Sequence, residues 1–453
     1  MSFRANLLKT FRYFLRNGFV DTFYAARERL LEMRQQPYTY EAPSGKELTR
    51  ERAMYESIVA DGRENTLPLV SFLVPVFEPN LVYLKEMMDA VLSQTFQNLE
   101  LVIADASTSD IPGQVVREKK SDKIRYVRLA ENLGISGNTN AAAAAASGSY
   151  VALLDYDDVL TPDALYQVTR AILKKTPAPE ILYSDEDKCD EKVSRFFEPN
   201  RKPDFNPDYL LSNNYICHLL VMKRELFLAL GLRSEYDGAQ DYDLILRAPW
   251  SNVCHIDKVL YHWRMHEGST AGNPGSKSYA YDAGKRALED YLRSCRIRAT
   301  VKDSRHRGFY DIDYDPDILT QRPEVGVIGG KIINGKDRII GGMMDGDGNV
   351  FFEGMHVMES GPMHRADTRC DAAAVDVRCM QIRDELRPLY RDVFNVSFER
   401  GVMPKDGRNA TYLKQKSIEF CQMAQNLGYL VVFDPSMVVK IPEGKKNGQT
   451  GEA

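Results

Sequence analysis

The run Tyr150-Val-Ala-Leu-Leu-Asp155-Tyr-Asp157-Asp158 closes an apolar stretch with three carboxylates. A short apolar run ended by acids reads as a buried parallel strand with the acids at its carboxyl end, where open α/β sheets bind ligands. Carboxylates so close repel one another unless a cation lies between them, and a divalent metal is the usual answer. A metal held by few carboxylates, with positions left open, can grip a diphosphate. The competing reading is a turn of solvated acids before a helix capped near Thr161-Pro162.

Other acids and small residues cluster in the same half of the chain. Leu99–Asp105 ends in a carboxylate able to accept from a base ring or a ribose, or else to cap the turn at Ser107-Thr108-Ser109. Asn132-Leu-Gly134-Ile-Ser-Gly137-Asn138 leads into an alanine-rich helix whose N-terminus favours an anion. It is not the Gly-x-Gly-x-x-Gly of dinucleotide sites. Tyr183-Ser-Asp185-Glu186-Asp187 again reads as a strand ending in acids. In Gly238-Ala-Gln240-Asp241-Tyr-Asp243, Asp241 begins a helix, as a cap or as a general base facing a pocket. In Tyr261-His262-Trp263-Arg264-Met265-His266 the alternating spacing puts both histidines and the arginine on one face of an extended segment. His266 there could ligate a metal, and Arg264 could neutralise phosphate.

The elements that must position these groups follow from periodicity. Strands are expected at Leu69–Phe77, Leu99–Asp105, Ile124–Leu129 and Tyr150–Asp155, with helices at Leu81–Ser93 and Ser136–Ala146. Apolar strands separated by helical patterns imply βαβ units and a parallel sheet. Residues 1–66 read as a helical arm, 67–300 as the α/β domain and 301–453 as an accessory region. Phe3, Leu7, Leu8, Phe11, Phe14 and Leu15 share one face of the arm, and residues 1–36 carry seven Lys/Arg against three Asp/Glu. Such a helix suits an anionic membrane surface, or packs on protein. In the accessory region, Arg378–Leu389 echoes Cys217–Leu230, and Gln415–Lys440 echoes Gln240–His262. The acids are mostly missing there, so residues 318–453 read as a partial, chemically silent duplicate. Asp345-Gly-Asp347-Gly reads as a turn.

In this order, SFLVPVFEPN, ADASTSD, ENLGISGNTNAAAAAASGSYVALLDYDDVLTPDAL, YSDEDK, GAQDYDLILRA and YHWRMHEGSTA resemble family 2 glycosyltransferases. The likeness is to those building bacterial surface polysaccharides, including rhamnosyltransferase-like members, and covers about half the chain, residues 68–292. It implies an α/β GT-A fold (Rossmann-like, a mostly parallel sheet flanked by helices) and direct displacement with inversion at the anomeric carbon. It implies a UDP- or dTDP-sugar donor bound through Pro75, Glu78, Asp105, Asn138, Asp155 and Arg264. Mg²⁺ or Mn²⁺ would be held by Asp155, Asp157, Asp158 and His266. Asp241 would be the base for a hydroxyl of a growing surface glycan or lipid-linked acceptor. Asp185, Glu186, Lys202, Gln240 and His218 are expected on the acceptor side. Gln240 replaces the usual Glu before the base, ADAST replaces the commoner Asp-Asp-Gly-Ser, and Glu78 stands where Tyr or Asn is frequent. These departures touch the donor base and sugar more than the reaction class. Rival readings are a catalytically silent sugar-nucleotide scaffold and an Asp-nucleophile phosphohydrolase. The latter expects Gly-Thr where Asp158-Val159 stands.

The bulk numbers agree. Lys+Arg total 59 against 64 Asp+Glu, a net charge of −5 with no pull toward nucleic acid. Seven scattered cysteines without a Cys-x-x-Cys suggest reduced thiols in the cytoplasm. No apolar stretch is long enough to span a bilayer, and no signal peptide opens the chain.

Overall fold

The apolar runs form strands because both faces of their sheet are covered by helices, which removes the need for polar alternation. The computed structural model of the chain describes residues 3–32, 37–266, 278–399 and 410–441, with side chains of the first helix described from residue 10 to residue 31. Phe3, Leu7, Leu8 and Lys9 of the arm therefore lie outside the described side chains, as does the Glu267–Thr270 end of the histidine motif.

One unit comprises residues 36–205 and 214–291. Its strands are β1 (Val70–Val76), β2 (Leu99–Asp105), β3 (Ile124–Arg128), β4 (Tyr150–Leu153), β5 (Val159–Leu160), β6 (Ile181–Asp190), β7 (Phe196–Asn200), β8 (Leu220–Lys223) and β9 (Val253–Met265). They form a sheet in the order β3-β2-β1-β4-β8-β6-β9-β5, with β7 beside β6. β3, β2, β1 and β4 are parallel, β8 is antiparallel to both its neighbours, and β6 and β9 are parallel again. This is the mostly parallel, helix-flanked α/β sheet expected from the sequence. Asn80 caps the helix Leu81–Leu92 by accepting the Val82 N–H, and Leu84, Met87, Met88 and Val91 bury on its inner face. Ala142 and Ala143, fully buried, let the helix Gly134–Ala145 lie close on the sheet.

One expectation needs correction, and one element was not foreseen. The acids at 185–187 do not end a strand, since β6 runs through them to Asp190 and pairs with β9, with register shifts on both sides of Asp185. A helix at Ile111–Glu118 also stands between β2 and β3. Its Pro112 and Gly113 look like a turn, yet proline is welcome in a helix's first turn.

The other unit comprises residues 1–35, 206–213 and 292–453. The helix Phe3–Glu32 is interrupted at Gly18, whose φ of 81° only glycine adopts easily. Strand Val325–Ile333 pairs parallel with Leu430–Lys440 and antiparallel with Ile339–Gly341 and Met380–Ile382. This is the pairing of β6 with β9, β7 and β8, in the same chain order. Helices precede the parallel partner and follow the antiparallel one in both units. Gly329-Gly330 lies where β6 carries its acids, and a Cβ on Gly330 would meet the Met437 carbonyl oxygen at 2.0 Å. Asp345 accepts the N–H groups of Asp347 and Asn349 at 2.9 Å, which makes that segment a turn.

Candidate active site

β4 releases its acids into a tight turn in which the Asp158 N–H donates to the Asp155 carbonyl at 3.3 Å. The three carboxylates then part company. Asp158 is buried, accepting from the Tyr261 hydroxyl at 2.5 Å and the Arg264 N–H at 2.8 Å. Asp157 meets the His266 Nε2 at 2.8 Å. Asp155 is half-buried beside Asp158 and His218, and one ligand atom from each of the three lies within 4.8 Å of the others. Burial is the main cause that pushes the Asp155 carboxyl up to about 6, and nearby Asp157 and Asp241 add to it while His218 opposes. Asp158 is raised well above the usual range by burial first, then by Asp157 and Asp155.

This donor set fits a divalent cation. The His218 Nδ1 is buried with no hydrogen-bond partner, and its ring is fixed by stacking on Tyr261 (centroids 4.5 Å, planes 7° apart). Among the described residues the three-member group is Asp155, Asp158 and His218, whereas the expected set had His266 in place of His218 and included Asp157. Asp157 and His266 form an adjacent pair. His218, expected on the acceptor side, faces the acids.

Strand β9 delivers Arg264, His262 and Tyr261, though not to one task. The fully buried Arg264 side chain donates to the Asp157 carbonyl at 2.7 Å and to Glu86 at 2.6 Å, and its guanidinium lies 4.6 Å from the centre of the Tyr83 ring. It therefore anchors the Asp157 turn, while its Nη2 is buried without a hydrogen-bond partner. His262 turns away to Asp187 at 2.5 Å.

Asp241 sits in the first turn of the helix Gln240–Arg247, which has Ala239 as N-cap and no side-chain cap. The capping alternative for Asp241 thus fails. Its carboxylate instead accepts from the Asn214 amide at 2.8 Å. Asp241 is near enough for its charge to raise both Asp155 and the buried Cys217 thiol, so the base candidate and the acidic turn share one neighbourhood. Gln240 accepts the Gly238 N–H at 2.8 Å, which shapes the approach to this turn.

The residues expected to hold the donor base are mostly engaged with the protein. Asp105, wholly buried, accepts from the Ser107 N–H (2.8 Å), Tyr126 (2.6 Å) and Arg128 (3.0 Å). Glu78, at a φ of 46°, joins the loops after β1 and β2 by accepting from the Thr108 N–H and hydroxyl. Those two bonds lower its carboxyl from the usual range. Pro75 is a β1 residue opposite Ala104. Asn138 bonds Leu133 N–H and Asn132 and so holds its own loop. The anion at the N-terminus of Gly134–Ala145 is the chain's own Asp237, which accepts from Ser136 at 2.5 Å.

The remaining acceptor-side candidates form a buried scaffold. Burial alone would raise Asp185, but bonds from His255 and the Lys202 N–H bring its carboxyl below the usual range. Lys202, its side chain fully buried, donates to Glu186 and to the Ile216 and His218 carbonyls. Lys202 thereby fixes the backbone that carries His218. Sequence reasoning missed Asn214, Asp237, Glu86 and His255, none of which lies in a motif, since each matters only through a partner distant in the chain.

Residues 71–231 match the family model for glycosyl transferase family 2. O-antigen biosynthesis protein RfbC of Myxococcus xanthus is 34% identical over 255 residues, covering 55% of this chain and 20% of that protein. Protein y4gI of Sinorhizobium fredii is 41% identical over 233 residues, 50% of this chain and 25% of that one. Hyaluronan synthase of Pasteurella multocida is 27% identical over 217 residues, 47% and 22% respectively. The chain thus spans a quarter or less of the length of these curated relatives. A crystal structure of S. aureus TarS with UDP-GlcNAc aligns with a TM-score of 0.40 at 18% identity, over 49% of this chain and 66% of that one.

Proposed function

We propose that this chain, whose residues 71–231 match the family 2 glycosyltransferase model, moves a sugar from a UDP- or dTDP-sugar to a hydroxyl of a growing surface glycan or lipid-linked acceptor, with inversion. The observation that carries the reading is the pairing of a half-buried Asp241, oriented by Asn214, with the acidic turn at Asp155 in one neighbourhood. Asp241 takes the proton of the attacking hydroxyl. The hydroxyl oxygen bonds to the anomeric carbon as the bond from that carbon to the diphosphate oxygen breaks. Asp155, Asp158 and His218, with Asp157 and His266 alongside, would hold Mg²⁺ or Mn²⁺, which would supply positive charge to the leaving diphosphate.

Arg264 keeps the Asp157 turn in register, and Lys202 keeps His218 against Tyr261. Asp105, Glu78 and Asn138 shape the donor loops from within. No helix among the described residues is long and apolar enough to cross a membrane. Residues 1–36 are the proposed contact with the inner membrane face, where a lipid-linked acceptor would be met. The phosphohydrolase alternative finds no support in a glycosyltransferase family match, and the intact acids speak against a silent scaffold.

The test is Asp241→Asn, with turnover and donor binding measured separately. Turnover should fall by about 10³-fold while donor affinity by calorimetry stays within about threefold, because only the proton acceptor is lost. Unchanged turnover would remove Asp241 from the chemistry.

A further inference from the structure

The helix Phe3–Glu32 leaves a run of large apolar side chains in the open. Phe11 is 57% exposed, Leu15 67%, Phe19 73%, Val20 55%, Phe23 55% and Leu30 60%. Single exposed apolar residues are ordinary on a soluble surface, but so many along one helix mark a surface that something covers.

The opposite face is already occupied within its own unit. Asn17 donates to the Arg305 carbonyl, and Asp21 pairs with Arg305 at 2.9 Å. Tyr24 stacks on His356 (centroids 4.3 Å), and Arg27 pairs with Glu359 at 2.6 Å. Glu28 accepts the Ser360 and Gly361 N–H groups at 2.8 Å. Docking therefore sorts the charges of the helix. Both acids among its described side chains, Asp21 and Glu28, turn inward, while Arg12 and Arg29 are exposed among the apolar residues and Arg16, also exposed, donates to the Ser304 carbonyl at 2.6 Å. The sequence shows only a mixed, net basic arm. The outward face is apolar and cationic.

We infer that this face lies in the headgroup layer of an anionic bilayer, with Phe and Leu side chains inserted and arginines on lipid phosphates. Aromatic and apolar residues flanked by arginine are what an in-plane interfacial helix needs. A second copy of the chain fits poorly, because a two-fold interface would bring this cationic face against itself with neither Asp21 nor Glu28 there to pair it. The inference rests on the membrane contact proposed above for residues 1–36 and stands apart from the sugar-transfer chemistry.

Vesicle flotation of the full chain tests it without donor or acceptor. The protein should float with phosphatidylcholine vesicles containing 30% phosphatidylglycerol (about that fraction suffices to give a negative surface) and stay behind with phosphatidylcholine alone. Arg12→Gln should lower partition by about fivefold, taking about 1 kcal/mol for one arginine. Leu15→Ser, Phe19→Ser and Phe23→Ser together should abolish flotation. Equal flotation with both vesicle types overturns the inference, as does none with either. So does a dimer in sedimentation equilibrium that the serine variant dissolves. The wild-type comparison decides the matter even if a variant fails to fold.

Discussion

Asp155 carries a charge where the fold resists one. Burial, Asp157 and Asp241 together hold its carboxyl near 6, against 3.8 for an ordinary aspartate. The folded form therefore binds the proton more tightly than the unfolded chain. Its stabilisation is complete below about pH 4 and is lost as pH rises through about 6. In the cation-free protein this makes neutral pH the less stable side of that window. Asp155→Asn keeps the shape and removes the charge. The variant should melt above the wild type at pH 7.5, by the equivalent of on the order of 2 kcal/mol, and together with it near pH 4. Added Mn²⁺ should raise the melting temperature of the wild type and leave the variant where it was. A wild-type melting temperature flat from pH 4 to 7 would show that the carboxyl is not strained in this way. The part of His218 could not be read along the chain. Its partners come from the turn after β4, and it reaches them only because Lys202 and Tyr261 fix its backbone and ring.

The loop at Asn132–Asn138 shows how an element is placed by its least conspicuous residue. Gly134 has a φ of 75°, and a Cβ there would come within 2.7 Å of an Asp237 carboxylate oxygen. Gly134→Ala should cost about 1–2 kcal/mol from the left-handed backbone alone, seen as an earlier urea midpoint. Adding Asp237→Ala should recover only the steric share, since the backbone strain stays. Full recovery would mean that the conformation itself is not strained. Much of the sheet was legible in sequence: β1 to β4 fall within two residues of their expected ends because apolar runs closed by turns are a local signal. The helix Ile111–Glu118 was hidden by its Pro and Gly. The course of β6 through Asp185–Asp187 was hidden differently, because acids inside a strand are stable only where His255, Lys202 and His262 meet them. Asp105 and Asn138 stand at the loops the motif indicated. Asp105 is bonded by Tyr126 and Arg128 of β3 and Asn138 holds its own loop, and no motif reveals that in advance.

At the scale of the molecule, the second unit repeats the strand pairing of the first around Val325–Ile333 without the acids that β6 carries. Glycines replace the acids, and Lys416 stands near where Asp241 would fall. The faint sequence echo is thus matched by topology, which outlasts side chains because pairing depends on backbone and apolar pattern. This unit also takes in residues 206–213, a segment bracketed in sequence by parts of the first unit. There Asp208 is buried against Arg322 at 2.6 Å, and the Asp371 carboxylate accepts the Asp208 N–H at 2.9 Å. Burial first, and then the charge of Asp208, raise Asp371 well above the usual carboxylate range, with Arg322 opposing. Arg322 is thus what makes a buried Asp208 tolerable. Arg322→Leu keeps the packing of a long side chain and strands that carboxylate, so urea melts should show a loss of about 3–5 kcal/mol. Asp208→Asn in the Arg322→Leu background should return a large part of it, because the uncompensated charge has gone. A loss under about 1 kcal/mol, or no recovery in the double variant, would mean the segment is held by packing alone. Cutting the chain after residue 300 would remove Arg322 and Asp371 together and leave Asp208 unpaired, so the first unit is better studied in the full chain than alone.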